Sequence, residues 1–84
     1  KNWSAWYNSE GEARALARQY LGRKPVEVAP NKWRSVDGRW QYRGKLNDLK
    51  GDSRGPHIHL EQLNSDTGEV IQNLHLRWPP EAGR

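Results

Sequence analysis

The stretch Pro56-His57-Ile58-His59-Leu60-Glu61-Gln62-Leu63-Asn64-Ser65-Asp66-Thr67-Gly68-Glu69-Val70-Ile71-Gln72-Asn73-Leu74-His75-Leu76-Arg77-Trp78 alternates apolar and polar residues on both sides of a Ser-Asp-Thr-Gly turn. Alternation of period two around turn residues predicts an antiparallel hairpin with one buried face. A type I turn closed by Gly68 in a left-handed bulge pairs Ser65 with Glu69, so paired residue numbers sum to 134. In that register Ile58 faces Leu76 and Leu60 faces Leu74 on the apolar side. His59 meets His75, His57 meets Arg77, and Glu61 meets Asn73 on the other side. A four-residue loop would set Ile58 opposite His75 and mix the faces, which burial disfavours.

Upstream, Lys32-Trp33-Arg34-Ser35-Val36 and Arg39-Trp40-Gln41-Tyr42-Arg43 flank Asp37-Gly38, a strong hairpin signal. A two-residue turn pairs Val36 with Arg39, Arg34 with Gln41 and Trp33 with Tyr42. Trp33, Trp40 and Tyr42 then share the apolar face. Lys32, Arg34, Arg39, Gln41, Arg43 and Lys45 take the polar one, with Val36 the apolar exception. Residues 44–55 read as a polar connection.

Before the hairpins stands the one clear helix. Ser9 and Glu12 have capping-box spacing, and Ala13, Leu16, Ala17, Tyr20 and Leu21 form one stripe. Arg14 and Arg18 are expected to point away from that stripe. Gly22 is placed to cap the C-terminus and Pro25 to end any continuation. Residues 1–8 form an aromatic lead-in, either a short helical turn or a strap across the core, and residues 79–84 a short tail. The fold class expected is α+β: an N-terminal helix on one face of an antiparallel sheet of about four strands. Its core draws on Leu16, Tyr20, Leu21, Trp33, Trp40, Tyr42, Ile58, Leu60, Val70, Leu74, Leu76 and Trp78.

With 84 residues the chain is expected to form one domain over 1–84. Large aliphatic residues are scarce, with no Phe and no Met, so five Trp and three Tyr must carry the core. Nothing in the sequence resembles a membrane span or a signal-peptide core. The absence of Cys removes disulfides, thiolate zinc ligands and a thiol nucleophile. Starting at Lys1 without any Met, the sequence reads as a piece of a larger product. Fourteen basic residues against ten acidic ones give a net charge of +4, which favours a polyanion or an acidic protein as partner.

All three histidines fall on the polar sheet face, with Arg77, Glu61 and Asn73 beside them and Arg34, Arg43 and Lys45 flanking. Outward positions of alternating strands need polar residues of some kind, and histidine serves there as well as any. Gathered together, however, these side chains fit two chemistries. In the first, imidazoles with ordinary pKa near 6.5 exchange protons around a phosphodiester, and arginine forks stabilise the charge on phosphorus. RNA supplies its own 2′-hydroxyl nucleophile, so neither metal nor cofactor is needed, and a 2′,3′-cyclic phosphate and a 5′-hydroxyl result. His57, His59, His75 and Arg77 are then the catalytic set. Arg34, Arg43, Lys45, Glu61 and Asn73 bind substrate. In the second chemistry the three histidines ligate zinc near Glu61, leaving one position for water, with nearby cations opposing it. A third possibility is a non-catalytic nucleic-acid-binding module, which requires exposed aromatics such as Trp3, Trp6 or Tyr7.

Gly55-Pro56-His57-Ile58-His59-Leu60-Glu61, followed by Asp66-Thr67-Gly68-Glu69, resembles the C-terminal toxin domains of bacterial polymorphic toxins, including the tips of contact-dependent growth inhibition exoproteins. The resemblance is strongest from about Lys32 to Trp78. Within that group the expected architecture is similar to the microbial-ribonuclease-like fold shared by barnase, EndoU and the tRNA-cleaving colicins. The resemblance implies metal-independent cleavage of RNA, often tRNA, in the cytoplasm of a competing bacterium. It also implies secretion or cell-surface display, and a monomeric toxin held by a cognate immunity protein, expected here to be acidic. It assigns no base and no acid among His57, His59 and His75.

Overall fold

Residues 2–44 and 55–80 are described by a computed structural model. The chain runs through β1 (Asn2–Trp6), α1 (Glu10–Leu21), β2 (Val26–Ala29), β3 (Lys32–Arg34), β4 (Trp40–Arg43), β5 (His57–Leu63) and β6 (Val70–Arg77). Lys45 lies outside the described residues, as do the rest of the connection, 46–54, and the tail residues 81–84.

The helix forms as its caps dictate. Ser9 Oγ accepts from the Glu12 amide at 3.2 Å, and Gly22, at φ 73°, donates its amide to the Arg18 carbonyl at 3.0 Å. These bonds satisfy backbone groups that a helix end leaves without partners. Ala13, Ala17 and Leu21 are buried, and the small residues let the helix lie close to the sheet. Leu16 packs against the same core, and the half-exposed Tyr20 meets Trp40 edge-on at 4.6 Å. Arg14 departs from expectation. Its guanidinium turns back to the sheet, donating to Tyr42 Oη at 2.6 Å and bonding Glu10 at 2.6 Å.

The α+β class and the helix on one sheet face are as expected; the sheet is not. It has six strands in the order β1-β6-β5-β4-β3-β2 rather than about four. The β1–β6 pair is parallel and the other pairs are antiparallel, so the all-antiparallel, microbial-ribonuclease-like arrangement is not the one that forms. Two segments make the difference. The lead-in is neither helical turn nor strap: Asn2–Trp6 pairs with β6 from Asn73 to Arg77, and the Tyr7 amide extends the ladder to the Arg77 carbonyl at 2.8 Å. Without β1, β6 would present an open row of backbone donors and acceptors. Val26–Ala29 adds the other edge, hairpinned to β3 through Pro30 and Asn31. Asn31 takes φ 59°, as the third position of a type II turn requires.

Both expected registers form, each through a different turn from the one expected. In β3–β4, Trp33 pairs with Tyr42 and Arg34 with Gln41. The loop is wider than two residues. Ser35 and Trp40 close it, the Gly38 amide bonds the Ser35 carbonyl, and Val36 is exposed at its tip rather than paired with Arg39. In β5–β6, Ile58 pairs with Leu76, His59 with His75 and Leu60 with Leu74. The turn, however, is the four-residue loop, with Asn64 bonding Glu69 at 2.8 Å and Gly68 at φ 78°. A bulge then restores the faces, since Gln62 pairs with Gln72 and Leu63 with Val70, leaving Ile71 as an extra residue. The bulge also leaves Val70 half-exposed, outside the core where alternation had placed it.

The core between helix and sheet holds Ala13, Ala17, Leu21, Tyr42, Ile58, Leu60, Leu76 and Trp78. Ala5, Tyr7, Leu16, Trp33, Trp40 and Leu74 pack around it. Among the described residues no helix is long and apolar enough to cross a membrane.

Candidate active site

Because side chains alternate across the sheet, odd-numbered residues of β5 and β6 project together, away from the helix. Pairing aligns them in rungs. One runs Ser4, His75, His59, Arg43 and Lys32 across β1, β6, β5, β4 and β3. The next runs Asn2, Asn73, Glu61, Gln41 and Arg34. On the other side of the histidine rung lie Trp6, Arg77 and His57. The residues read from the sequence as a site are thus brought onto one face, apart from Lys45, which is not described.

The three imidazoles form a close triangle. Ring centroids are 5.0 Å apart for His57–His59, 5.5 Å for His57–His75 and 4.5 Å for His59–His75. One nitrogen from each ring lies within 4.8 Å of the others. Each ring is also held by an outer partner. His59 Nδ1 lies 3.1 Å from Asn73 Oδ1, and His57 Nδ1 lies 3.3 Å from the Gly55 carbonyl. Those oxygens accept, so both rings carry a proton on Nδ1 and, when neutral, a lone pair on Nε2. His75 is hydrogen-bonded to the Trp3 backbone on β1.

The face was expected to be open to solvent, yet His57, His59, Glu61, Gln41 and Arg77 are buried and His75 is half-buried. Buried polar groups must be satisfied. Glu61 accepts from Gln41 Nε2 at 2.7 Å through Oε1 and pairs with Arg43 Nη2 at 3.2 Å through Oε2. Gln41 Oε1 in turn receives Arg34 Nη2 at 2.7 Å and Nε at 3.1 Å. Arg34, Gln41, Glu61 and Arg43 therefore form one chain, and Asn73 orients His59. Burial holds His75 below its ordinary 6.5, assisted by His59, Arg77 and His57 and opposed by the bond to the Trp3 backbone. Three adjacent imidazoles, one of them with its charged form disfavoured, beside arginines that are always charged, suit proton transfer around an anion.

Sequence reasoning put Gln41 on this face without giving it a role and did not bring β1 to the face at all. Its signal was present in Asn2-Trp3-Ser4-Ala5-Trp6, which alternates polar and apolar until Trp6 breaks the pattern. The nitrogen triangle could also hold a transition metal. Each ligand ring would have an outer hydrogen bond, as such rings commonly do, while Arg77 beside them opposes a divalent charge. Comparison with family models, curated proteins and solved structures gave no match.

Proposed function

We propose that this chain is a toxin ribonuclease that cleaves RNA, with tRNA the expected target, by metal-independent attack of the 2′-hydroxyl on the adjacent phosphodiester. The observation that carries the reading is the packing of three imidazoles, with nitrogens within 4.8 Å, beside Arg77 on a cationic sheet face. His75, whose charged form is disfavoured, takes the 2′-hydroxyl proton. The 2′-oxygen bonds phosphorus, the bond to the 5′-oxygen breaks, and a protonated neighbour, His57 or His59, gives the leaving oxygen its proton. Arg77 stabilises the charge on the phosphoryl oxygens, and Arg43 and Arg34, held through Glu61 and Gln41, grip flanking phosphates. An acidic immunity protein covering this face would neutralise the toxin in the producing cell. Delivery from a secreted or surface-displayed exoprotein, for action in the cytoplasm of a target bacterium, belongs to the same reading.

Incubation of the purified domain with total tRNA in EDTA tests it. The expected products end in a 2′,3′-cyclic phosphate and begin with a 5′-hydroxyl. RNA that is shifted but intact would instead favour the binding module, a reading that the exposure of Trp3 and Trp6 keeps in view. The same imidazole triangle supports a second catalytic reading, a three-histidine zinc hydrolase. Loss of cleavage in EDTA with recovery on zinc addition would replace the metal-independent mechanism by that one.

A further inference from the structure

The strand that sequence reasoning did not recognise brings an aromatic ring to the site. Trp6 ends β1 on the histidine side of the sheet, in register with Arg77 and, one strand further, His57. Trp6 is 57% exposed, whereas the core-face aromatics Trp33, Tyr42 and Trp78 are packed. An exposed indole alone would be unremarked surface. This one borders a buried cationic cluster, on the same face, at a lateral distance from His57 of two strand spacings, about 10 Å. A flat apolar ring beside an arginine and three imidazoles matches the two parts of a nucleotide, a base with an open π-face and an anionic backbone.

We infer that Trp6 is the stacking platform for a nucleobase next to the phosphodiester held at His57, His75 and Arg77, an inference that rests on the ribonuclease reading above. The consequence is a substrate class. A base stacked on Trp6 must be free of its helix, so the site takes unpaired RNA, as in a loop or single strand. Duplex RNA keeps its bases stacked inside and offers this ring nothing.

A fully 2′-O-methylated single strand of mixed sequence is the probe, because blocking the nucleophilic hydroxyl separates binding from cleavage. Its affinity is measured by fluorescence anisotropy, alongside the same strand annealed to its complement and an abasic version. Trp6→Ala should weaken single-strand binding roughly 10- to 100-fold and leave duplex binding unchanged. Trp6→Phe, which keeps a ring and guards against misfolding of the alanine variant, should lose only a few-fold. Wild-type protein should lose a similar factor on the abasic strand, a comparison that needs no variant. Equal binding of the intact strand by Trp6→Ala and wild type, or an equal loss on duplex, overturns the platform. Cleavage separates the two readings. If wild type cuts no RNA but the single-strand binding pattern holds, proton transfer is wrong and the platform stands. If wild type and Trp6→Ala cut a single-stranded RNA with the same kcat/KM, the platform is wrong and the catalytic reading stands.

Discussion

Replacing Glu61 by Gln tests the part of the site on which two arginines depend. Gln has nearly the same shape and can still accept from Gln41, so packing is preserved. What changes is the second oxygen, which becomes an amide nitrogen facing Arg43 Nη2, a donor against a donor where a 3.2 Å ion pair had been. Breaking a fully buried pair by removing one partner costs about 3–5 kcal/mol. Exposed pairs contribute about 0–1 kcal/mol. This pair is asymmetric, with the Glu61 side chain 6% exposed and that of Arg43 27%, so water can recover part of the cation's loss. An intermediate cost of about 2 kcal/mol is expected, which for a chain of this size lowers Tm by roughly 10 °C. Urea unfolding of Glu61→Gln, Arg43→Gln and the double variant isolates the pair. A coupling of at least ~1 kcal/mol is expected, since the residues touch. A Glu61→Gln variant within ~0.5 kcal/mol of wild type, or a cycle with no coupling, would refute the view that this carboxylate holds Arg43 in place.

Each of His57→Ala, His59→Ala and His75→Ala should lower RNA cleavage about 10²- to 10⁴-fold where it removes a proton-transfer group, with far-ultraviolet circular dichroism checking the fold. Three folded variants that cleave like wild type would move the site elsewhere. His75, facing His57 and His59 on β5, Arg77 on its own strand and the Trp3 backbone on β1, has a folded-state pKa below its unfolded 6.5. Its neutral form therefore stabilises the fold above pH 6.5, and that contribution is lost as pH falls through the folded pKa. Urea unfolding in EDTA should show a decline below pH 6.5 of at most ~1.4 kcal/mol per unit from this residue, which His75→Asn removes; an unchanged slope in that variant would contradict the assignment. On the toxin reading proposed above, a cognate immunity protein should place Asp or Glu against Arg34, Arg43, Lys45 or Arg77 and associate more slowly as salt rises. If saturating inhibitor leaves the domain able to bind and cut tRNA, it occupies the helix side instead, where Arg14 and Arg18 border an apolar groove with Leu21, Pro25 and Trp33.

Short-range patterns told the truth about short-range structure. Ser9, Glu12 and Gly22 end a helix by bonds to residues three and four away, so their spacing alone located it. Alternation assigned Ile58, Leu60, Leu74 and Leu76 to the core and the histidines to the other face, because a slip of one residue would turn His57, His59 and Glu61 toward the helix. That same pressure explains how the pairing came out as read while the turn did not. The chain takes a four-residue loop and corrects the resulting slip by bulging at Ile71. Burial of the whole face outweighs the local geometry of the turn.

The sequence by itself therefore determined the helix, two hairpin registers and the gathering of His57, His59, His75 and Arg77 on one face. Only the tertiary structure decided what closes around them. The parallel pairing of Asn2–Trp6 with β6 joins residues some seventy positions apart, and no local period can specify which edge a strand will seek. The burial of Glu61 and Gln41, the bonds that hold His59 and His75, and the presence of Trp6 beside Arg77 follow from that assembly. They depend on which strands become neighbours, and neighbours are chosen by the backbone groups each edge leaves unpaired and the apolar surface the whole sheet can bury.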